Sequence, residues 1–237
     1  MNSNYSFKGA LRCCALFLLV FSLCNEFFGF DQWLADWIYR LEGARWSLKN
    51  AYLLTHVMHV GGRNLSILAA LLLILMMVLS FFVKALFSYR KVLLFLLTSI
   101  AVSSILVALA KHYLALSCPW EFSNYGGELE YLSRWSQLWV RNGKGCFPAG
   151  HASAGYVWIS VFFAGHFLKA TWRWYSLIVP TVIGLIFGVG QQLRGAHFIS
   201  DDVWTFAICW MVSVATYRLF FDRIETNNRV NKSNSPL

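Results

Sequence analysis

Long apolar blocks separated by short polar segments are the main pattern along the chain. A helix needs about 20 mostly apolar residues to cross a bilayer, and five blocks meet that length: 65–83, 92–110, 148–168, 175–193 and 203–221. A sixth block, 11–30, is interrupted only by Arg12 and Glu26 near its ends. It begins like a signal peptide, but no small-x-small cleavage site follows it, so we interpret it as an uncleaved span. The pattern predicts an all-α, integral membrane six-helix bundle.

The composition agrees with a membrane protein. Of the 237 residues, 58% are hydrophobic and only 13% are charged, whereas soluble domains are about 25% charged. An aromatic content of 17% argues against a disordered chain. The net charge of +9 does not indicate a nucleic-acid partner, because the basic residues lie between apolar blocks, where they set topology. We expect one membrane domain over residues 1–224, with its core at 65–221, followed by a short polar tail at 225–237.

The distribution of charge predicts the orientation. Six spans place both termini on one side, and the segments on that side carry eleven basic and two acidic residues. The opposite side carries nine of each. Because an excess of Lys and Arg marks the cytoplasmic side, we expect both termini and the tail to be cytoplasmic. Two longer segments then face outward: 31–64, whose tryptophans among charges are typical of an amphipathic interfacial segment, and 111–147.

Ionisable residues from three separate stretches come to the outward ends of the predicted spans. Such residues are costly in a membrane and are usually functional. They are Lys111, His151, Arg194, His197, Asp201 and Asp202. The sequence therefore predicts a reactive site at the outward mouth of the bundle.

The sequence around these residues resembles the type 2 phosphatidic acid phosphatase superfamily, a group of membrane lipid phosphatases. That family has three motifs: Lys, six residues, Arg-Pro; Pro-Ser-Gly-His; and Ser-Arg, five residues, His, three residues, Asp. Lys111 with Pro119, then Pro148, Gly150 and His151, then His197 with Asp201 match in order and spacing. The resemblance covers roughly residues 65–221, and the three motifs together are specific where one alone would be weak.

The resemblance implies the catalytic roles. His197 would attack phosphorus and form a phosphohistidine, and His151 would protonate the leaving oxygen and then activate water. A carboxylate would orient His197, as Asp does in a Ser-His-Asp triad. Spacing favours Asp201 for this role over Asp202, without deciding between them.

Three phosphate-holding positions of the family differ here. Cys118 and Gln191 replace arginines and Ala149 replaces the serine. We expect Lys111 and Arg194 to neutralise the phosphate oxygens and Gly150 to leave room for the phosphate. Further candidates to replace the lost arginine are Arg63, Arg141 and Lys144.

Two cysteines, Cys118 and Cys146, lie in the outward segment, and the family motifs bring their positions together. We therefore expect a Cys118–Cys146 disulfide, which the oxidising periplasm would preserve. No cofactor or metal is expected: His56 and His59 form an H-x-x-H pair, but no third ligand is evident.

The function that these observations predict is a metal-independent lipid phosphatase with a periplasmic active site in a bacterial inner membrane. Its substrate would be polyprenyl diphosphate, lipid A, phosphatidic acid or phosphatidylglycerol phosphate. A lipid-to-lipid phosphotransferase of the same family is the nearest alternative. A haem-binding electron carrier with His151 and His197 as axial ligands, and a transporter, whose site would lie nearer the bilayer midplane, are the others. The oligomeric state stays open.

Overall fold

The computed structural model describes the backbone of residues 7–233 and the side chains of residues 9–222. The charges of Lys8 and of the tail beyond residue 222, on which part of the topology argument depends, lie outside the described side chains. Within the described residues the chain is helical and forms no strand beyond a single bridge between Phe122 and Leu129. The prediction of an all-α chain is confirmed.

Nine α-helices are described, and five helical segments are long and apolar enough to cross a membrane. The helices are α1 (Phe7–Phe28), α2 (Phe30–Leu41), α3 (Gly62–Leu79), α4 (Arg90–Leu114), α5 (Arg134–Val140), α6 (Gly150–Tyr156), α7 (Ser160–Phe167), α8 (Tyr175–Leu193) and α9 (Ile199–Ser233). The five candidate spans of the described chain are Gly9–Phe28, Leu53–Leu79, Lys84–Glu121, Thr171–Leu193 and Ile199–Asp222. The chain is thus a multi-pass membrane protein.

The remaining predicted block, 148–168, folds as α6 and α7 joined by a 3₁₀ turn, Val157–Ile159. Its residues are mostly buried among the other helices, so it lies at the centre of the bundle. Five of the six predicted spans are therefore confirmed by length and composition, and the sixth stays a prediction.

Small residues let α6 pack closely against its neighbours. A Cβ on Gly155 would collide with the backbone of Gly184 on α8, and a Cβ on Gly184 would collide with the ring of Tyr156. Helices in membranes depend on such small residues for close approach. This packing places the beginning of α6 beside the turn between α8 and α9.

The segment 31–64, which the sequence predicts to be amphipathic, begins with an amphipathic helix. Its helix α2 buries Asp31, Ala35 and Ile38 on one face and exposes Trp33 and Trp37 on the other. A π-helix, Leu53–Gly61, then leads directly into α3. The predicted boundary at residue 64 is therefore wrong, because the helix begins about three turns earlier.

The expected cysteine pair closes the segment 111–147. The structure joins Cys118 and Cys146 in a disulfide, with their Cα atoms 5.2 Å apart. The backbone N–H of Cys146 donates to the carbonyl of Leu116 (2.8 Å), and that of Cys118 donates to Glu121 (2.9 Å). The bridge ties the end of α4 to the chain that enters α6.

Candidate active site

His197 and Asp201 form the central pair of the site. His197 lies in the turn before α9 and Asp201 in the first turn of α9, and both are buried. Nδ1 of His197 is 3.1 Å from Oδ2 of Asp201, which also accepts a hydrogen bond from the backbone N–H of Phe198 (3.0 Å). The arrangement leaves Nε2 of His197 as the nitrogen that can react.

The neighbouring carboxylate, Asp202, pairs with a different residue. Its carboxylate accepts a hydrogen bond from the side-chain amide of Gln192 and lies against Gly188 of α8. The alternative that the sequence left open is therefore resolved geometrically: Asp201 is the carboxylate that contacts His197.

His151 faces His197 from the first turn of α6, with the two ring centroids 6.1 Å apart. The ring of His59, in the π-helix, packs against His151 with a centroid separation of 3.8 Å. Nδ1 of His151 is buried and finds no hydrogen-bond partner among the described residues. The two histidines of the motifs thus differ: a carboxylate orients His197, whereas ring packing orients His151.

Sequence reasoning assigned His59 no place in the site. Its pairing with His56 indicated at most a metal site, but the structure separates their roles. His56 stacks on Tyr52, with ring centroids 4.8 Å apart, and contacts Thr55. Of the pair, it is His59 that packs against a motif histidine.

Lys111 reaches the beginning of α6. A Cβ built on Gly150 would meet Nζ of Lys111 at 3.9 Å and nothing nearer. Gly150 therefore borders an open space beside the ammonium group, as its predicted role requires.

Two hydrogen-bond acceptors hold the side chain of Arg194, which directly follows α8. Its Nε donates to the carbonyl of Lys49 (2.8 Å), and its Nη1 donates to the side-chain oxygen of Gln191 (3.1 Å). Gln191 stands where the family has an arginine, and its side-chain oxygen orients Arg194. Burial lowers the pKa of Arg194, but an arginine with an ordinary pKa above about 12 stays charged near neutral pH.

The other basic residues considered from sequence differ in position. Arg63 lies near the beginning of α3 and is exposed. Arg141 donates to the carbonyl of Leu138 at the end of its own helix (2.8 Å) and is exposed. Lys144 is also exposed.

Arg134, the first residue of α5, is a site residue that sequence reasoning missed. Its Nη2 donates to Oδ1 of Asp201 (2.5 Å) and its Nε donates to Oδ2 of Asp31 (3.0 Å). Burial by itself lowers the pKa of Arg134, but the carboxylates of Asp201 and Asp31 outweigh it and hold that pKa above its ordinary value. Burial and the charge of Asp31 also raise the pKa of the nearby Tyr131 to about 12.

Asp31 is itself surrounded by donors. The backbone N–H of Ser200 donates to Oδ1 (2.9 Å), its hydroxyl donates to Oδ2 (2.6 Å), and the side-chain amide of Asn25 donates to Oδ2 (3.0 Å). The turn between α1 and α2 is thereby joined to the residue that precedes Asp201.

One cluster in the described part of the chain has the spacing of a metal site: Cys118, Glu121 and Cys146. The two thiols of that cluster are bonded to each other, so they do not offer thiolates to an ion. The residues around His197 offer instead an imidazole held by a carboxylate, a second imidazole and two cations. This combination suits cleavage of a phosphate ester.

Comparison with known proteins points in the same direction. A family model described as the PAP2 superfamily matches residues 92–225. The match includes both motif histidines, Asp201 and Arg134, whereas Asn25, Asp31 and His59 lie before it. No curated protein and no solved structure gives a significant match.

Proposed function

The chain belongs to the PAP2 superfamily, and from this premise we propose that it is a membrane lipid phosphatase that works through a phosphohistidine. The superfamily supports phosphatase or phosphotransferase activity on lipid-like phosphate esters. The observation that carries the finer proposal is the His197–Asp201 pair at 3.1 Å, with His151 facing it.

In the first step, Nε2 of His197 attacks phosphorus and the bond between phosphorus and the leaving oxygen breaks. His151, whose protonated form the bound phosphate anion favours, gives its proton to that oxygen. The two ring centroids are 6.1 Å apart, so both histidines border one region of the site, as acid and nucleophile acting on one phosphate ester require. Asp201 accepts the Nδ1 hydrogen of His197 and stabilises the positive charge that develops on the ring.

In the second step, His151 takes a proton from water and the hydroxide oxygen attacks phosphorus. The bond between nitrogen and phosphorus breaks, which releases inorganic phosphate and restores His197. Lys111 and Arg194 neutralise the phosphate oxygens in both steps. The side chains supply acid, base, nucleophile and countercharge, so the proposed reaction is metal-independent.

The proposed setting is the periplasmic face of a bacterial inner membrane, in a six-span domain of residues 1–224 with a cytoplasmic tail. The candidate substrates are polyprenyl diphosphate, lipid A, phosphatidic acid and phosphatidylglycerol phosphate. If the hydroxyl group of a second lipid replaces water in the second step, the same site is a phosphotransferase.

The test is phosphate release from these lipids by the purified protein in detergent with EDTA. We expect activity in the parent, none in His197→Ala, and a severe loss in His151→Ala. His112→Ala is the matched control, because this histidine is exposed at the end of α4 and should be neutral.

Trapping with radiolabelled substrate should place an acid-labile phosphoryl group on His197. Parent activity that disappears with EDTA would contradict the metal-independent reaction, and an active His197→Ala would overturn the mechanism. A labelled second lipid that appears when an acceptor lipid is added would identify a phosphotransferase.

A further inference from the structure

We propose that Arg134 and Asp31 are positioning residues that act on His197 through Asp201. The inference rests on the proposed function and adds two residues that the three motifs do not contain. It also gives the turn between α1 and α2, outside the family match, a part in the reaction.

The first argument is geometric. Oδ2 of Asp201 is occupied by His197 and by the N–H of Phe198, and Oδ1 is occupied by Arg134. With both oxygens held, the carboxylate has one orientation, and that orientation presents Oδ2 to Nδ1 of His197. Without Arg134, Oδ1 would lose its partner and the carboxylate could turn away from the ring.

Arg134 is itself held on several sides. Its guanidinium carbon lies 4.4 Å from the ring centroid of Phe198 and 5.9 Å from that of Phe147. Its Nε is occupied by Asp31 while its Nη2 contacts Asp201. The planar guanidinium can serve two separate carboxylates at once, which the single ammonium of a lysine cannot do equally well.

The second argument concerns charge. Asp31 and Asp201 carry two negative charges and Arg134 carries one positive charge, so the buried group has a net charge of −1. Because Arg134 is shared with Asp31, it does not neutralise Asp201 completely. The remaining negative charge lies beside His197, where the ring becomes positive as it attacks phosphorus.

The third argument concerns how Asp31 is fixed. Both of its oxygens accept hydrogen bonds from Ser200, the residue that precedes Asp201 in α9. Asn25 contributes a third, and its own side-chain oxygen accepts the backbone N–H of Asp31 (2.9 Å). Hydrogen bonds therefore join the α1–α2 junction to the beginning of α9.

The test is a double-mutant cycle on phosphate release. We expect Arg134→Lys to lower kcat roughly tenfold or more, the effect of one lost charged hydrogen bond, while KM changes less than about twofold. In the Asp201→Asn background the same substitution should change kcat by less than about threefold, because the residue through which it acts is already altered. Arg45→Lys, at an exposed arginine in the loop after α2, is the control and should be neutral in both backgrounds.

Asp31→Asn provides a second, nearly isosteric variant. It should also lower kcat and not KM, and its effect should also shrink in the Asp201→Asn background. Size-exclusion profiles and thermal unfolding of each variant establish that the folded protein is being measured, and Asp31→Asn decides the question if Arg134→Lys does not fold.

Equal losses in the parent and Asp201→Asn backgrounds would overturn the inference, since they would show a general structural role. A loss confined to KM would also overturn it. A parent protein that releases no phosphate from any lipid would instead remove the proposed function, and the inference with it. An active parent with an unaffected Arg134→Lys removes the inference alone.

Discussion

The substitution Asp201→Asn tests the proposed mechanism most directly, because asparagine has almost the same shape but one acceptor oxygen. The carboxylate of Asp201 serves three donors: His197 and Phe198 through Oδ2, and Arg134 through Oδ1. An amide at this position must turn its NH₂ group toward one of these two sets of donors. Either orientation places hydrogen against hydrogen in a fully buried position.

The size of the effect depends on which orientation is adopted. If the amide oxygen faces His197, the ring keeps its tautomer but loses a charged partner, which costs about 1.5–3 kcal/mol or roughly 10- to 150-fold in rate. If the oxygen faces the cation of Arg134, the NH₂ group donates to Nδ1 and moves the ring hydrogen to Nε2. That tautomer cannot attack, and the corresponding change in a Ser-His-Asp triad costs about 10⁴-fold.

Because a cation attracts the amide oxygen more strongly than a neutral donor does, we expect the second orientation and a fall in kcat of about 10²- to 10⁴-fold. The assay is single-turnover phosphate release, so that product release does not mask the chemical step. Asp202→Asn is the matched control. Its buried carboxylate accepts a hydrogen bond from Gln192, which an asparagine oxygen can also accept. Activity should therefore change by less than about threefold. A large loss in Asp202→Asn together with an active Asp201→Asn would refute the assignment of the orienting carboxylate.

Three further variants test residues in and beside the site. A methyl group in Gly150→Ala meets nothing nearer than Nζ of Lys111 at 3.9 Å, so the thermal midpoint should hold while phosphate release falls; loss of both together would contradict this steric argument. Replacing Cys118 and Cys146 by serine should lower the thermal midpoint. The cysteines are 28 residues apart, and for a loop of that length the lost chain entropy stabilises the folded protein by about 3–4 kcal/mol. Dithiothreitol should lower the midpoint of the parent in the same way and leave that of the variant unchanged. Arg194→Lys should lower kcat in steady-state assays because lysine keeps the charge but loses the planar fork, and an unchanged rate would exclude Arg194 as the phosphate ligand.

The spans and the order of the motifs could be predicted from the sequence because both depend on local patterns. An apolar block of the length of 92–110 has few stable alternatives to a helix in a membrane, and the structure forms α4 there. His197 and Asp201 are four residues apart at a helix start, so their contact is also nearly local. The interruption of the block 148–168 was not predictable, because the three residues of the turn, Val157–Ile159, are apolar and include no proline or glycine.

The contacts that complete the site depend on tertiary structure. Arg134 is 67 residues from Asp201, and Asp31 is 169 residues from Ser200, so no periodicity or spacing could pair them. Asp31 looked like one more charge in an interfacial segment, and Arg134 like one of several cations in an outward loop. A buried charge is costly unless it is paired. The packing of the helices determined which carboxylates pair with Arg134. The sequence by itself determined which histidines, carboxylates and cations are candidates for one site, and the tertiary structure decided which of them contact one another.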